Sequence, residues 1–178
     1  MAIRQIRVIG DEILTKACKP VKEMNERTEE LIEDMFETMY ENNGCGLAAP
    51  QVGIRKRIVV IDVDDGNQYV MINPEILETS GSQTGAEGCL SVPGKNGQVT
   101  RAEHVKAKAL NENMEEYTIE ADGLLARCIL HECDHLDGIL YVERVEGELH
   151  DNDEEGEESC VSYLWELRIF PCRPWRPW

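Results

Sequence analysis

The residues best placed to do chemistry stand in one run, His131-Glu132-Cys133-Asp134-His135. Each helical residue advances about 100°, so a separation of four returns His135 to within about 40° of His131. Two imidazoles then converge on one point, as a transition-metal site requires. Glu132 lies about 100° from His131 and about 60° from His135, close enough to act as general base toward a water without being a ligand. Cys133 falls about 200° from His131 and faces away. This is the H-E-x-x-H arrangement, two His on the ion and a Glu as base. Cys89, in Glu87-Gly88-Cys89-Leu90-Ser91, is the strongest candidate for a third ligand. A thiolate and two imidazoles leave the fourth position of a tetrahedral ion open, as in catalytic sites.

These groups need elements to hold them. Gly123 to Leu136 reads as the helix that carries the His pair, with Asp122 as cap and Gly138 as terminator. An earlier helix is predicted from Asn25 to Asn42, where Leu31, Ile32, Met35, Phe36 and Met39 recur at helical spacing and Gly44 follows the end. Residues 3–22 read as an extended segment packed on the domain. Gly44 to Gln51 is small and helix-breaking, so a loop is expected. Arg57 to Val63 reads as a strand buried on both faces. Gln68 to Ile72 is a second strand ended by Asn73-Pro74, Glu75 to Thr79 a third, and Ser80 to Gly85 a polar loop. Glu87 to Val92 is strand-like, and Val99 to Leu110 pairs with Glu116 to Ala121 in a hairpin. Ile139 to Val142 is a short strand or turn. The expected fold is α+β: short antiparallel or mixed strands packed around a central C-terminal metal-binding helix, with one earlier helix.

The 178 residues are 42% hydrophobic and 30% charged, the composition of an ordinary globular domain. A net charge of −17 argues against nucleic acid or an anionic membrane as partner. No apolar run approaches the roughly twenty residues of a membrane helix, and the start lacks the apolar core of a signal peptide. A cytoplasmic protein is expected. Its seven cysteines, with no C-x-x-C, read as thiols. Residues 1–148 are the expected catalytic domain. Residues 149–178, acidic and then rich in Trp, Arg and Pro, read as a disordered or loosely packed tail.

Three segments resemble the signature motifs of the peptide deformylases, in that family's order and spacing. They are Gly44-x-Gly46-Leu47-Ala48-Ala49-x-Gln51, Glu87-Gly88-Cys89-Leu90-Ser91 and His131-Glu132-x-Asp134-His135. The resemblance spans roughly residues 3–148. It implies hydrolysis of the formyl group from the N-terminal formyl-methionine of nascent bacterial polypeptides, giving formate and a free amine. It implies one divalent metal ion per chain on Cys89, His131 and His135, Fe²⁺ natively, with Zn²⁺, Ni²⁺ or Co²⁺ able to replace it. Glu132 is then the general base, and the Gln51 amide and the Leu90 backbone N–H stabilise the oxyanion.

The substrate, by the same resemblance, lies extended along Gly44, Cys45, Gly46 and Gly88. Its methionine side chain enters an apolar pocket near Gly44, Glu87, Arg127 and Cys128. A guanidinium is a poor pocket wall unless its stem packs and its head reaches water, so Arg127 has two readings, a pocket residue or a solvated residue at the rim. Glu87 has two readings: an acid that orients a ligand His with Arg101 neutralising it, or half of a surface ion pair. Leu130 departs from the Gln that many members carry. Nothing demands an oligomer, so a monomer is expected, and the ribosome is implied only through the substrate. Two rivals stand beside this reading. One is an H-E-x-x-H metallopeptidase, although Tyr141 occupies the place of the third His of one such class. The other is a non-catalytic or autoinhibited deformylase homologue with the tail folded over its cleft.

Overall fold

Helix α1 (Glu26–Glu41) starts where Asn25, in extended backbone, accepts the Thr28 N–H on its side chain at 3.1 Å. Its inner face buries Leu31, Ile32, Met35 and Met39, as their spacing predicts. The computed structural model describes residues 2–152. Within them α1 covers one face of an antiparallel five-stranded sheet and a second helix, α2 (Gly123–Asp137), covers the other. The strands run in the order β1 (Gly46–Ala48), β2 (Ile58–Ile61), β3 (Tyr69–Ser80), β6 (His104–Leu110) and β7 (Glu116–Asp122). β2 is buried throughout because its alternate residues serve both layers: Ile58 and Val60 pack toward α1, Val59 and Ile61 toward α2. A three-stranded sheet of β4 (Gln83–Cys89), β5 (Val92–Arg101) and β8 (His150–Asp151) completes the α+β architecture.

Several boundaries differ from those expected. Asn73-Pro74 does not end a strand. β3 runs through it on a register shift between Ile72 and Glu75, where a proline costs no ladder hydrogen bond. Asn73 holds φ +51°, and its amide spans the Val21 N–H and carbonyl at 2.8 Å each. Ser80 to Gly85 is a tight reversal from β3 into β4 rather than a loop. Val99 to Leu110 is two strands, since β5 ends at Arg101 and β6 begins at His104. Gly44 to Gln51 contains β1 and a 3₁₀ turn (Ala49–Val52), and residues 141–143 form another 3₁₀ turn. Asp122 occupies the N-cap of α2 without capping it, because its carboxylate pairs with His104. At the other end Gly138 takes φ +79°, and a Cβ there would lie 2.7 Å from the Thr15 carbonyl carbon, so glycine is required twice over. Nearly all of the expected tail, residues 153–178, lies outside the described residues.

The N-terminal segment is extended, with one 3₁₀ turn (Glu12–Thr15), and it crosses the molecule as a strap. The Ala2 N–H and the Arg4 guanidinium donate to the Asp34 carboxylate of α1, at 2.6 and 2.9 Å. Farther on, the Arg7 N–H donates to the Gln51 carbonyl and the Ile9 N–H to the Ser91 carbonyl, both at 2.7 Å.

Candidate active site

α2 is amphipathic in an unusual sense: its buried side carries Arg127, Glu132 and His135 among Ala126, Ile129 and Leu136. The helical spacing places His131 and His135 on one side, ring centroids 5.1 Å apart. Cys89 meets them at the end of β4, where a register shift after Gly88 turns its side chain toward the helix. Its Sγ lies 3.2 Å from His135 Nε2, and the ligand atoms of Cys89, His131 and His135 all lie within 4.8 Å of one another. Burial opposes ionisation of Cys89, but the charge of His135 and hydrogen bonding from His131 outweigh it and hold the thiol well below its usual range. An anionic sulfur with two imidazoles is the donor set of a divalent transition metal.

Two further observations fit an ion and a water here. Glu132 Oε2 is buried with no hydrogen-bond partner among the described residues. Burial raises the Glu132 carboxyl above its ordinary pKa against the opposing charges of His131 and His135. Gly46 faces this carboxylate: a Cβ at position 46 would sit 2.6 Å from Glu132 Oε1 and 2.7 Å from Cys128 Sγ. Only glycine leaves the acid its place.

Around Cys89, His131 and His135 the polar groups are fixed. Gln51 accepts the Ala48 N–H on Oε1 at 2.8 Å, which orients its Nε2 toward Ser91 Oγ at 3.2 Å and Cys89 Sγ at 3.5 Å. The Ser91 N–H also reaches Cys89 Sγ, at 3.4 Å. His131 Nδ1 lies 3.0 Å from Glu87 Oε2, leaving Nε2 to face the cysteine. The surface reading of Glu87 is excluded, since its side chain is 3% exposed and that of Arg101 4%. Arg101 grips both Glu87 oxygens at 2.6 and 2.9 Å and extends to Asp134 at 2.8 Å. Burial pushes Glu87 up, yet His131 and Arg101 more than offset this and hold it at about 2.

Of the two readings of Arg127, the solvated rim residue is excluded. The side chain is buried, donating to Glu87 Oε1 at 2.6 Å and to the Val99 and Gln83 carbonyls at 3.1 Å each. It still borders the cleft, which measures about 520 Å³ and passes Gly44, Cys45, Gly46, Gly88, Leu90 and Cys128. All the residues expected in the site therefore converge. Three others went unassigned in the sequence. Ser91 partners Gln51, Asp134 anchors Arg101, and Tyr141 stacks on His131 with centroids 6.0 Å apart while its hydroxyl donates to the Lys95 carbonyl at 3.0 Å. Ser91 and Asp134 lie inside the chemical motifs, which is the one signal that could have found them.

Residues 3–151 match the family described as polypeptide deformylase. A peptide deformylase of Agathobacter rectalis is 66% identical over 151 residues, 85% of this chain and 95% of that one. The chain belongs to the polypeptide deformylase family. Another deformylase, of Lachnoclostridium phytofermentans, is 56% identical over 163 residues, 89% of this chain and all of its own. Among solved structures, the Thermotoga maritima peptide deformylase superposes with a TM-score of 0.80 at 42% identity, covering 83% of this chain and all of that one. A Synechococcus elongatus deformylase in complex with actinonin gives 0.78 at 44% identity, over 80% and 79%. Deformylases are metal-dependent hydrolases that remove N-formyl groups from nascent peptides, and this chain is an enzyme of that family. The family match and these relatives favour deformylase over the metallopeptidase alternative, and position 141 holds a tyrosine stacked on His131. No helix among the described residues is long and apolar enough to cross a membrane.

Proposed function

We propose that Cys89, His131 and His135 hold one Fe²⁺ and that Glu132, Gln51 and Leu90 carry the deformylation of formyl-methionyl peptides in the cleft beside them. The observation that supports this most directly is the buried, unpartnered Glu132 carboxylate next to a Cys/His₂ donor set. When bound, a divalent ion there acts as a Lewis acid, lowering the pKa of a water toward neutrality and polarising the formyl carbonyl. Zn²⁺, Ni²⁺ or Co²⁺ would satisfy the same donors, since affinity alone does not select among them.

The chain's own groups do the rest. Glu132 accepts the proton of the attacking water and returns it to the nitrogen as the C–N bond breaks, so formate leaves and the amine is freed. The Gln51 amide N–H and the Leu90 backbone N–H face the formyl oxygen as it gains charge, Gln51 already oriented by Ala48. Glu87 fixes the tautomer of His131, with Arg101 and Arg127 balancing its charge. Gly44, Cys45, Gly46 and Gly88 line the path of an extended peptide, and Cys128 lies beside the pocket for its first side chain. Actinonin, bound by the Synechococcus relative, should occupy the same cleft.

The catalytic domain is taken as residues 1–148 together with β8, which follows directly and pairs with β5, and the acidic remainder as a tail. A monomeric cytoplasmic enzyme that meets the ribosome only through its substrate accords with the net charge of −17. Formate release from a short formyl-methionyl peptide, by protein prepared anaerobically with Fe²⁺ or Ni²⁺, tests the reading. Glu132→Ala should keep its metal and lose about 10²–10⁴ in kcat, the range of a general base. Full metal occupancy without turnover in the parent chain would refute it.

A further inference from the structure

We infer that Cys45 and Cys128 form a reversible disulfide across the substrate cleft, a thiol pair by which small disulfides switch the enzyme off. The inference rests on the deformylase reading of that cleft.

Cys45 lies at the foot of β1 and Cys128 on α2, far apart in sequence, yet their sulfurs are 3.8 Å apart. The Cys128 sulfur also reaches the Cys45 carbonyl at 3.6 Å. Cys45 is half-buried and Cys128 buried, and both border the cleft, so a small reagent entering by the substrate's route meets Cys45 first. The other described cysteines differ. Cys18 and Cys133 are buried away from the cleft, with burial raising both thiols and pushing Cys133 up to about 12, while Cys89 belongs to the metal donor set.

The chemistry balances with a low-molecular-weight disulfide as oxidant. The Cys45 thiolate attacks one sulfur of the reagent, whose S–S bond breaks and expels the first thiolate. The Cys128 thiolate then attacks the Cys45 sulfur of the mixed disulfide, expelling the second. Two cysteine sulfurs are oxidised, one disulfide is reduced to two thiols, and the cysteine protons pass to the released thiolates.

Closing the gap from 3.8 Å to the roughly 2.05 Å of an S–S bond moves the two sulfurs together by nearly the width of an atom. The movement has an address. Cys128 Sγ and Glu132 Oε1 are the two atoms nearest to where a Cβ would stand on Gly46, next to Cys45 in the chain. Drawing β1 toward α2 therefore presses the Gly44–Gly46 wall on the catalytic acid and narrows the groove that takes the peptide. A displacement of this order at a reacting group costs up to about 10²-fold in rate. Exchange in a reducing compartment is transient, as befits a regulatory bond.

The test uses the full-length Ni²⁺-loaded enzyme and 2-hydroxyethyl disulfide. Non-reducing peptide mapping should show the Cys45 and Cys128 peptides joined, with kcat/KM down at least ~10-fold and restored by dithiothreitol. Cys45→Ser should form no cross-link and keep its own untreated rate during the same exposure. Cys128→Ser should instead accumulate the mixed disulfide on Cys45. A map in which Cys45 and Cys128 stay reduced while Cys89 is modified overturns the pair. A complete cross-link with unchanged kcat/KM overturns the switch. An untreated parent that releases no formate refutes the deformylase reading and the switch together, while the cross-link is judged on the peptide map alone.

Discussion

Helices α1 and α2 cover opposite faces of one sheet, but they treat the polar groups they bury in opposite ways. On α1, buried Asp34 is saturated: the Ala2 N–H and the Arg4 guanidinium donate to it, and Thr38 closes back on the Asp34 carbonyl at 2.6 Å. On α2, Glu132 Oε2 and His135 Nδ1 are buried with no partner among the described residues. Leaving a buried polar atom without a partner costs about 1–3 kcal/mol, a cost a structural helix avoids. A helix that must receive a cation and a water bears it. Between these two carboxylates, the saturated one ties the N-terminal segment to its helix and the unpartnered one stands beside the candidate donor set.

The contrast can be broken most forcefully at Glu87, where the two kinds of group meet. Glu87→Ala strands the buried guanidinium of Arg101, so chemical denaturation should show a loss of about 3–5 kcal/mol. Metal titration of the same variant should show affinity reduced about 10–100-fold through His131. Unchanged metal retention would make Glu87 a structural acid like Asp34. Gln51→Glu is the next sharpest. It keeps the acceptor for the Ala48 N–H but removes the amide donor, so kcat should fall about 10²–10³-fold, or 2.7–4 kcal/mol in the barrier, with metal content intact. On the structural helix, Asp34→Ala should cost about 1–3 kcal/mol of stability and leave metal content and kcat as they were. The smallest effect distinguishes the two helix starts. Asn25→Ala, which removes a side-chain cap, should cost about 1 kcal/mol. Asp122→Ala, whose carboxylate caps nothing and serves an exposed pair, should fall within roughly 0.5 kcal/mol.

The same contrast explains what the sequence made legible. α1 could be read from Leu31, Ile32, Met35 and Met39 because apolar burial imposes a period. The grouping of His131, His135 and Cys89 could be anticipated because a metal donor set imposes residue type and spacing, and the structure brings the three together. Arg127 could not, since whether a guanidinium faces water or a buried carboxylate depends on a partner forty positions away. Tyr141 escaped for the same reason: ring stacking on His131 leaves no pattern in the chain. Asn73-Pro74 misled because the dipeptide usually stops a strand. Here the bulge absorbs the missing N–H, and the Asn73 amide finds its partner at Val21. Composition and local rules describe what a residue prefers alone, and these positions are decided by what tertiary contact offers them.

The N-terminal strap has one more consequence, which concerns the order in which the protein is made. Its Arg7 and Ile9 amides clasp the carbonyls of Gln51 and Ser91, residues that flank the sulfur ligand, while the two imidazoles arrive only with α2. The strap must therefore wait for α2, far later in the chain, before the centre can close. Such long-range closure is slow. No nascent fragment short of α2 holds an assembled site, so an enzyme that acts on unfinished chains is itself inert until its own second helix has been made.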